Sequence, residues 1–286
     1  MPALEYLRKE TTILTRLLEP KVRVIMVIGG PDTGKTAFVE SLSGFLSERA
    51  STAILDLDMG QSHIGPPTTI AWGKVEGGFK GWDRVKAEDF YFTGALSPPG
   101  NLVPSIVGAK RVLDLALPEC EKLVIDTTGL IAGALGRLFK LYKIELLSPD
   151  IIIGLERDAE LGHILDPLKF DKRPVVRLKV DEAVSYKSPD IRAEHRAEMF
   201  RGYFLNSGTI EVNLSKAGVR YTRGDEGGDL TGRIVSLRSG DKDLALGAVE
   251  RHEIKKNSLL IRTPLKKGAK FTTVIIGEAA IPPGII

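Results

Sequence analysis

Cysteine, tryptophan and long apolar runs are scarce in this 286-residue sequence, which has one cysteine, Cys120, and two tryptophans. A lone cysteine excludes an intramolecular disulfide and fits a reducing compartment. No run of about 18 apolar residues occurs, so no membrane-spanning helix is predicted. The first residues also lack the basic-then-apolar order of a secretory signal. We therefore expect a cytoplasmic protein that has no membrane partner.

Signatures of a zinc site and of a serine hydrolase are absent as well. The four histidines show no metal-ligand spacing, and there is no cysteine cluster, which argues against a zinc site. A nucleophile-elbow motif is also missing. The net charge is only +3, and residues 208–286 carry 13 Lys and Arg against 9 Asp and Glu. This mild basic excess is compatible with a polyanionic partner, although lysines scattered over a soluble surface explain it better.

The sequence does contain a phosphate-binding loop. Residues 22–28 are nearly all apolar, as in a central parallel strand buried on both faces. The next eight residues match G-x-x-x-x-G-K-[ST] at every fixed position, and a helical pattern follows. Glycines let consecutive N–H groups point into one concavity at the positive end of the helix dipole. The predicted nucleoside triphosphate site comprises Gly29, Gly30, Pro31, Asp32, Thr33, Gly34, Lys35, Thr36 and Ala37.

Strands alternate with helices over most of the chain. The predicted strands are 22–28, 52–58, 68–74, 90–94, 122–126 and 151–155, and the predicted helices are 35–49, 102–117, 132–145 and 188–204. This order predicts an α/β P-loop NTPase fold with a mostly parallel, doubly wound sheet. Short glycine-punctuated strands after residue 208 predict a small all-β, barrel-like module. We expect two domains, 1–207 and 208–286, with residues 1–20 covering the sheet edge.

Acidic residues stand at the ends of two predicted strands. Asp126 closes one strand, while Asp56 and Asp58 lie at i and i+2 in another, where they would face the same side. Open α/β sheets bind ligands at the carboxyl ends of their strands. In P-loop folds such an acid holds Mg²⁺ directly or through water. Instead of binding metal, such an acid can stabilise a turn through hydrogen bonds to the backbone. This structural alternative is strongest for Asp56.

The predicted helix at 188–204 begins with Ser188 as N-cap and Pro189 as its first residue. Arg192 and Arg196 lie one turn apart and therefore on one face. Spacing alone favours a solvated face paired with neighbouring acids. The other interpretation is a lid whose guanidinium groups grip a transferring phosphoryl group.

The chain contains, in order, the motifs GGPDTGKT, DLDMGQ, FTGALSPPGN, IDTTGLIAG, and SPDIRAEHR with YFLNSG. Taken together, these motifs resemble the polynucleotide 5'-hydroxyl kinase family, which includes the RNA kinase subunit of the pre-mRNA 3'-end cleavage machinery. The resemblance covers about residues 22–207. The phosphate loop is shared by many families, whereas D-x-D-x-G-Q followed by a T-G…P-x-x-N loop is much more selective.

The resemblance implies a role for each matching position. Lys35 and Thr36 would grip the ATP phosphates and Mg²⁺, and Asp58 would orient or deprotonate a 5'-hydroxyl. Residues 93–101 would form a clasp loop against the acceptor strand, and both arginines would belong to a lid, which reverses the interpretation from spacing. The implied catalytic residues are Lys35, Asp58, Arg192 and Arg196; the metal ligands are Thr36, Asp58 and Asp126; the acceptor-binding residues are Gln61, Thr93, Gly94, Asn101 and Thr128.

The sequence also departs from the family pattern in two places. Leu130 stands where eukaryotic relatives tend to carry a base-stacking tryptophan, so a looser base preference is expected. The twenty residues before the first strand cannot form the N-terminal β-domain of larger members, which predicts a minimal, free-standing version.

The activity that the resemblance implies is transfer of the γ-phosphoryl group of ATP or GTP to the 5'-hydroxyl of RNA, with DNA left open as a second acceptor. One alternative is a P-loop nucleotide switch or maturation GTPase whose effector module is 208–286. The absence of an N-K-x-D guanine motif weighs mildly against it. A third alternative is an ATP-holding scaffold without activity, against which the retained catalytic set argues. The sequence does not specify protein partners.

Overall fold

A computed structural model describes residues 11–171, 173–180, 184, 186–223 and 228–285. Its helices are α1 (Thr11–Leu18), α2 (Lys35–Ser47), α3 (Leu102–Ala116), α4 (Gly133–Leu147), α5 (Gly162–Leu165) and α6 (Pro189–Phe204). Its strands are β1 (Val24–Gly29), β2 (Thr52–Asp56), β3 (Thr69–Val75), β4 (Asp89–Phe92), β5 (Lys122–Asp126), β6 (Ile151–Glu156), β7 (Val175–Lys179), β8 (Gly208–Asn213), β9 (Gly218–Tyr221), β10 (Arg233–Ser239), β11 (Lys242–Glu253), β12 (Ser258–Thr263) and β13 (Thr273–Ala280). None of these helices has both the length and the apolarity that a membrane crossing requires.

The first seven strands form one sheet in the order β4-β3-β2-β5-β1-β6-β7. The five strands from β2 to β7 in this order are parallel, and β3 and β4 add an antiparallel edge. This order confirms the predicted α/β fold with a mostly parallel sheet. Since β1 and β5 are neighbours, with Val27 opposite Asp126, the phosphate loop and that acid meet at one edge of the sheet.

Helices cover both faces of this sheet, as the double apolar pattern of β1 requires. Val24, Met26 and Ile28 pack into one core with α3, α4 and α5, whereas Ile25 and Val27 pack into the opposite core with α2. Alternate side chains of a strand point to opposite faces of the sheet. A strand that is apolar at every position must therefore be covered by other elements on both faces. The N-terminal lead-in adds Leu17 of α1 to the second core; residues 1–10 lie outside the described chain.

Two strands were not predicted, and the strand predicted over 52–58 ends two residues early. β7 and β9 are edge strands whose residues are mostly half-buried or exposed, so they carry little of the apolar signal on which the prediction rests. β2 ends at Asp56. Asp58 therefore lies in the following turn, and the expectation that Asp56 and Asp58 project from one strand face is wrong.

The remaining strands form a second sheet in the order β8-β12-β11-β10-β13-β9. This part is all-β as predicted. The sheet is open, and β8 and β9 are its two edge strands. One face forms its own apolar core. The opposite face packs on the first unit, because Ile234, Leu246 and Ile275 share a cluster with Phe92 of β4 and with Phe200 and Phe204 of α6. A domain boundary at residue 207 therefore stays a prediction.

Candidate active site

The phosphate loop runs from β1 into α2 and curls as its glycines predict. Gly34 has φ +75°, which glycine adopts at little cost. A side chain on Gly29 would lie 2.5 Å from Thr33 Oγ1 and 2.8 Å from the Leu155 carbonyl oxygen, so only glycine fits there. The buried Lys35 ammonium donates to the Gly30 carbonyl at 2.6 Å, and burial lowers the pKa of Lys35. The loop thus holds the lysine ammonium against its own backbone.

Asp126, at the end of β5, lies directly beside this loop. One carboxylate oxygen accepts from the Thr36 hydroxyl at 2.9 Å; the other is buried and has no hydrogen-bond partner within the described chain. Burial raises the pKa of Asp126 to about 6, against the opposing charge of Lys35. A hydroxyl and a carboxylate with a free oxygen are ligands that Mg²⁺ accepts, so these residues fit the predicted metal site.

The turn after β2 presents a second acid to the same space. Asp58 lines the cleft together with Gln61. Its Oδ1 accepts from the N–H groups of Gly60 at 3.1 Å and Gln61 at 3.0 Å. The turn therefore fixes the carboxylate through Oδ1, and Oδ2 accepts no hydrogen bond from the residues that the structure describes.

Asp56 has a structural role in shaping that turn. Its buried carboxylate accepts from the N–H groups of Asp58, His63 and Ile64. Burial, and then the neighbouring Asp126 carboxylate, raise the pKa of Asp56 to about 8. The alternative interpretation of Asp56, an acid that ties down a turn, is therefore the one that its contacts support.

Helix α6 contributes Arg192 to the lining of the cleft. Ser188 caps the helix as predicted, accepting from the Ile191 N–H at 3.3 Å. Arg192 pairs with Asp32 of the phosphate loop at 2.6 Å, and its carbonyl accepts from Gln61 Nε2 at 3.1 Å. Arg196, one turn further on, does not line the cleft and has no ion-pair partner in the described parts of the chain. The structure thus brings only the first of the two predicted lid arginines to the phosphate loop.

The predicted acceptor residues other than Gln61 do not line the cleft. Thr93 is buried and donates to the Thr68 carbonyl at 2.7 Å. Gly94 and Asn101 contact the second sheet, Asn101 through Glu278 at 3.0 Å. Thr128 is buried next to Thr127 and Gly129, which do line the cleft. Their role in acceptor binding stays a prediction.

Several residues near the site were not predicted. His63 and Lys187 line the cleft, and burial, followed by the nearby His195, lowers the pKa of His63 to about 4. Lys140 is fully buried on α4 and donates to Thr127 Oγ1 at 2.9 Å and to the Thr128 carbonyl, which positions the segment after β5. Lys140 lies within the apolar face of a predicted helix, and this position could have indicated a buried lysine with a specific role. The sequence pattern gives no such indication for His63.

These elements enclose a cleft of about 390 Å³ between the phosphate loop, the turn after β2 and the start of α6. A parallel sheet, a glycine loop opening a helix, a buried lysine and an acid paired with the loop threonine define a P-loop nucleotide-binding protein. The chain matches the family described as mRNA cleavage and polyadenylation factor CLP1 P-loop over residues 29–206. It belongs to that family.

Curated relatives carry kinase names. The chain is 37% identical over 209 residues to a polyribonucleotide 5'-hydroxyl-kinase of Pyrococcus abyssi, covering 72% of this chain and 58% of the relative. It is 36% identical over 200 residues to one of Methanocaldococcus jannaschii, covering 70% and 55%. It is 24% identical over 214 residues to the polynucleotide 5'-hydroxyl-kinase GRC3 of Candida albicans, covering 68% and 31%. The chain thus spans little more than half the length of these archaeal relatives.

A solved structure shares the fold. The complex of wild-type Clp1p with Pcf11p residues 454–563 aligns with a TM-score of 0.75 at 12% identity, covering 97% of this chain and 79% of the other. Since nearly the whole chain is covered, the shared fold includes the second sheet.

Proposed function

We propose that this protein transfers the γ-phosphoryl group of ATP to the 5'-hydroxyl end of RNA. The observation that carries the proposal is that Asp58 and Gln61 open into the same cleft as Lys35, Thr36 and Arg192. Asp58, which can accept a proton, therefore lies across the same cleft from the loop that would bind the triphosphate. The kinase names of the archaeal relatives support the same acceptor.

On the donor side, catalysis is positioning and charge neutralisation. The loop N–H groups and Lys35 hold the β- and γ-phosphates. Arg192, already 2.6 Å from Asp32 at the loop, provides a planar fork that matches phosphoryl oxygens. The Thr36 hydroxyl and the Asp126 carboxylate would hold Mg²⁺, which when bound neutralises charge on the phosphates.

On the acceptor side, Asp58 is the proposed general base. Its Oδ1 is held by two backbone N–H groups, while Oδ2 is free of partners in the described chain. A fixed carboxylate with one free oxygen can accept the proton of an attacking hydroxyl without first giving up a structural hydrogen bond. Gln61, which follows in the same turn, would hold the acceptor end.

The experiment that tests this proposal compares the wild-type protein with Lys35→Ala, using γ-labelled ATP or GTP and matched 5'-hydroxyl RNA and DNA oligonucleotides. We expect label on the oligonucleotide, greatest for RNA, and a loss of about 10²–10⁵-fold in Lys35→Ala. Lys21→Ala, which changes an exposed lysine outside the cleft, serves as the matched control. A 5'-phosphorylated RNA should accept nothing. Slow release of inorganic phosphate that no oligonucleotide stimulates would instead support a nucleotide switch.

A further inference from the structure

We propose that the second sheet positions the acceptor side of the cleft, and that Glu278 on β13 is the positioning residue. The inference concerns the clasp loop, residues 93–101, which joins β4 to α3. It rests on the proposed kinase function, because only that function gives this side of the cleft an acceptor to bind. Three sets of contacts lead from the second sheet, through the clasp loop, to Asp58.

The first contact is a polar tether. Glu278, with a side chain 43% exposed, accepts from Asn101 Nδ2 at 3.0 Å through one oxygen and from Arg223 at 3.2 Å through the other. Asn101 is 2% exposed and precedes α3, where its carbonyl accepts from the Ser105 hydroxyl at 2.6 Å. The carboxylate fixes which end of the Asn101 amide faces it, because only the NH₂ group can donate. The far end of the clasp loop is thereby anchored to β13.

The second contact is close packing at the near end of the loop. A side chain on Gly94 would lie 2.5 Å from Thr222, and the Gly94 carbonyl accepts from the Ala279 N–H at 2.9 Å. A side chain on Gly277 would in turn lie 2.8 Å from the Gly94 carbonyl oxygen. The backbones of the loop and of β13 therefore touch, and neither can shift without the other.

The third contact joins the clasp loop to the turn that holds Asp58. A Cβ atom added to Gly60 would lie only 2.2 Å from the Leu96 carbonyl oxygen, so the loop and the turn are in close contact. Gly60 belongs to the turn whose N–H groups hold Asp58. A shift of the clasp loop by a fraction of an ångström therefore presses on the turn that fixes the proposed base. Catalytic geometry is sensitive to such shifts, since a misplacement of about 1 Å can cost about 10²-fold in rate.

The test uses the full chain with Glu278→Ala, the conservative Glu278→Gln, and a matched control, Glu250→Ala. Glu250 is a carboxylate of the same sheet that pairs with Arg262 and does not contact the clasp loop. Steady-state phosphorylation of a 5'-hydroxyl RNA oligonucleotide gives kcat and the KM values for the acceptor and for ATP separately. Because the tether acts on the turn that holds the proposed base, we expect Glu278→Ala to lower kcat/KM for the acceptor about tenfold, mainly through kcat, and to leave the ATP KM unchanged. Glu278→Gln should recover part of the loss, and Glu250→Ala should match the wild type.

Amide hydrogen exchange over residues 94–101 separates this inference from the proposed function. Faster exchange in Glu278→Ala than in Glu250→Ala supports the tether even if the wild-type protein phosphorylates no oligonucleotide, a result that would refute the kinase function alone. Unchanged exchange, or a kcat/KM for the acceptor equal to that of Glu250→Ala, would overturn the positioning role of Glu278.

Discussion

The contact between the two sheets depends on a buried ion pair whose removal should be costly. Asp243 on β11 accepts from Arg238 Nε and Nη2, both at 2.7 Å, from the Ser236 hydroxyl, and from the N–H of Phe92 on β4 at 2.9 Å. Asp243 is 2% exposed and Arg238 is 6% exposed. The perturbation we consider is Asp243→Ala, which removes the acceptor of all four hydrogen bonds.

The expected loss follows from what the substitution leaves behind. Arg238 would remain buried with no counter-charge, and breaking such a pair costs about 3–5 kcal/mol. The orphaned Phe92 N–H adds about 1–3 kcal/mol where water cannot reach it, so the two costs together come to about 4–8 kcal/mol. Because domains are stable by about 5–15 kcal/mol, this loss would take a large share of the stability.

Urea denaturation followed by circular dichroism measures this free energy of unfolding. Glu253→Ala, which breaks surface pairs with Arg251 and Lys256, is the control and should change stability by about 0.5 kcal/mol or less. The double variant Arg238→Leu with Asp243→Leu should lose less than Asp243→Ala, since no charge is left unpaired. A loss below about 1 kcal/mol in Asp243→Ala, the size typical of an exposed pair, would refute the reasoning.

Three further predictions concern the cleft. Arg192→Ala should lower kcat by about 10²–10⁵-fold and Arg196→Ala by less, because only Arg192 lines the cleft; equal losses in single-turnover assays would contradict this. Asp126 is the proposed metal ligand, and without metal its pKa is about 6; the wild-type rate at sub-saturating Mg²⁺ should therefore fall as the pH is lowered through about 6, and a flat pH-rate profile under these conditions would contradict that role. Asp56 retains its proton up to about pH 8 in the folded state but releases it near pH 3.9 when unfolded. Stability should therefore fall as the pH rises between these values, and Asp56→Asn should flatten this dependence in urea titrations at several pH values.

The elements with strong local signals were predictable from the sequence. β5 begins and ends where the apolar run predicts, and Ser188 caps α6 as its residue type indicates. Buried central strands must be apolar throughout, and helix starts need a side-chain acceptor, so both leave a readable pattern. The edge strands β7 and β9 leave no such pattern, because solvent replaces the apolar partner on at least one side.

The phosphate site was predictable for the same kind of reason. Its glycines, Lys35 and Thr36 are adjacent in sequence, and the backbone turn itself builds the concavity. Asp126 was predictable because parallel strands end at one edge of the sheet.

Other features were decided only by the tertiary structure. Asp56 and Asp58 receive different roles because β2 ends between them, and Arg192 rather than Arg196 reaches the loop because of how α6 is docked. The contact of Glu278 with Asn101 joins residues 177 positions apart. The sequence by itself thus determined the fold class and the nucleotide cradle, which arise from local backbone geometry. The partners of isolated side chains depend on how distant elements pack, and only the folded chain decides them.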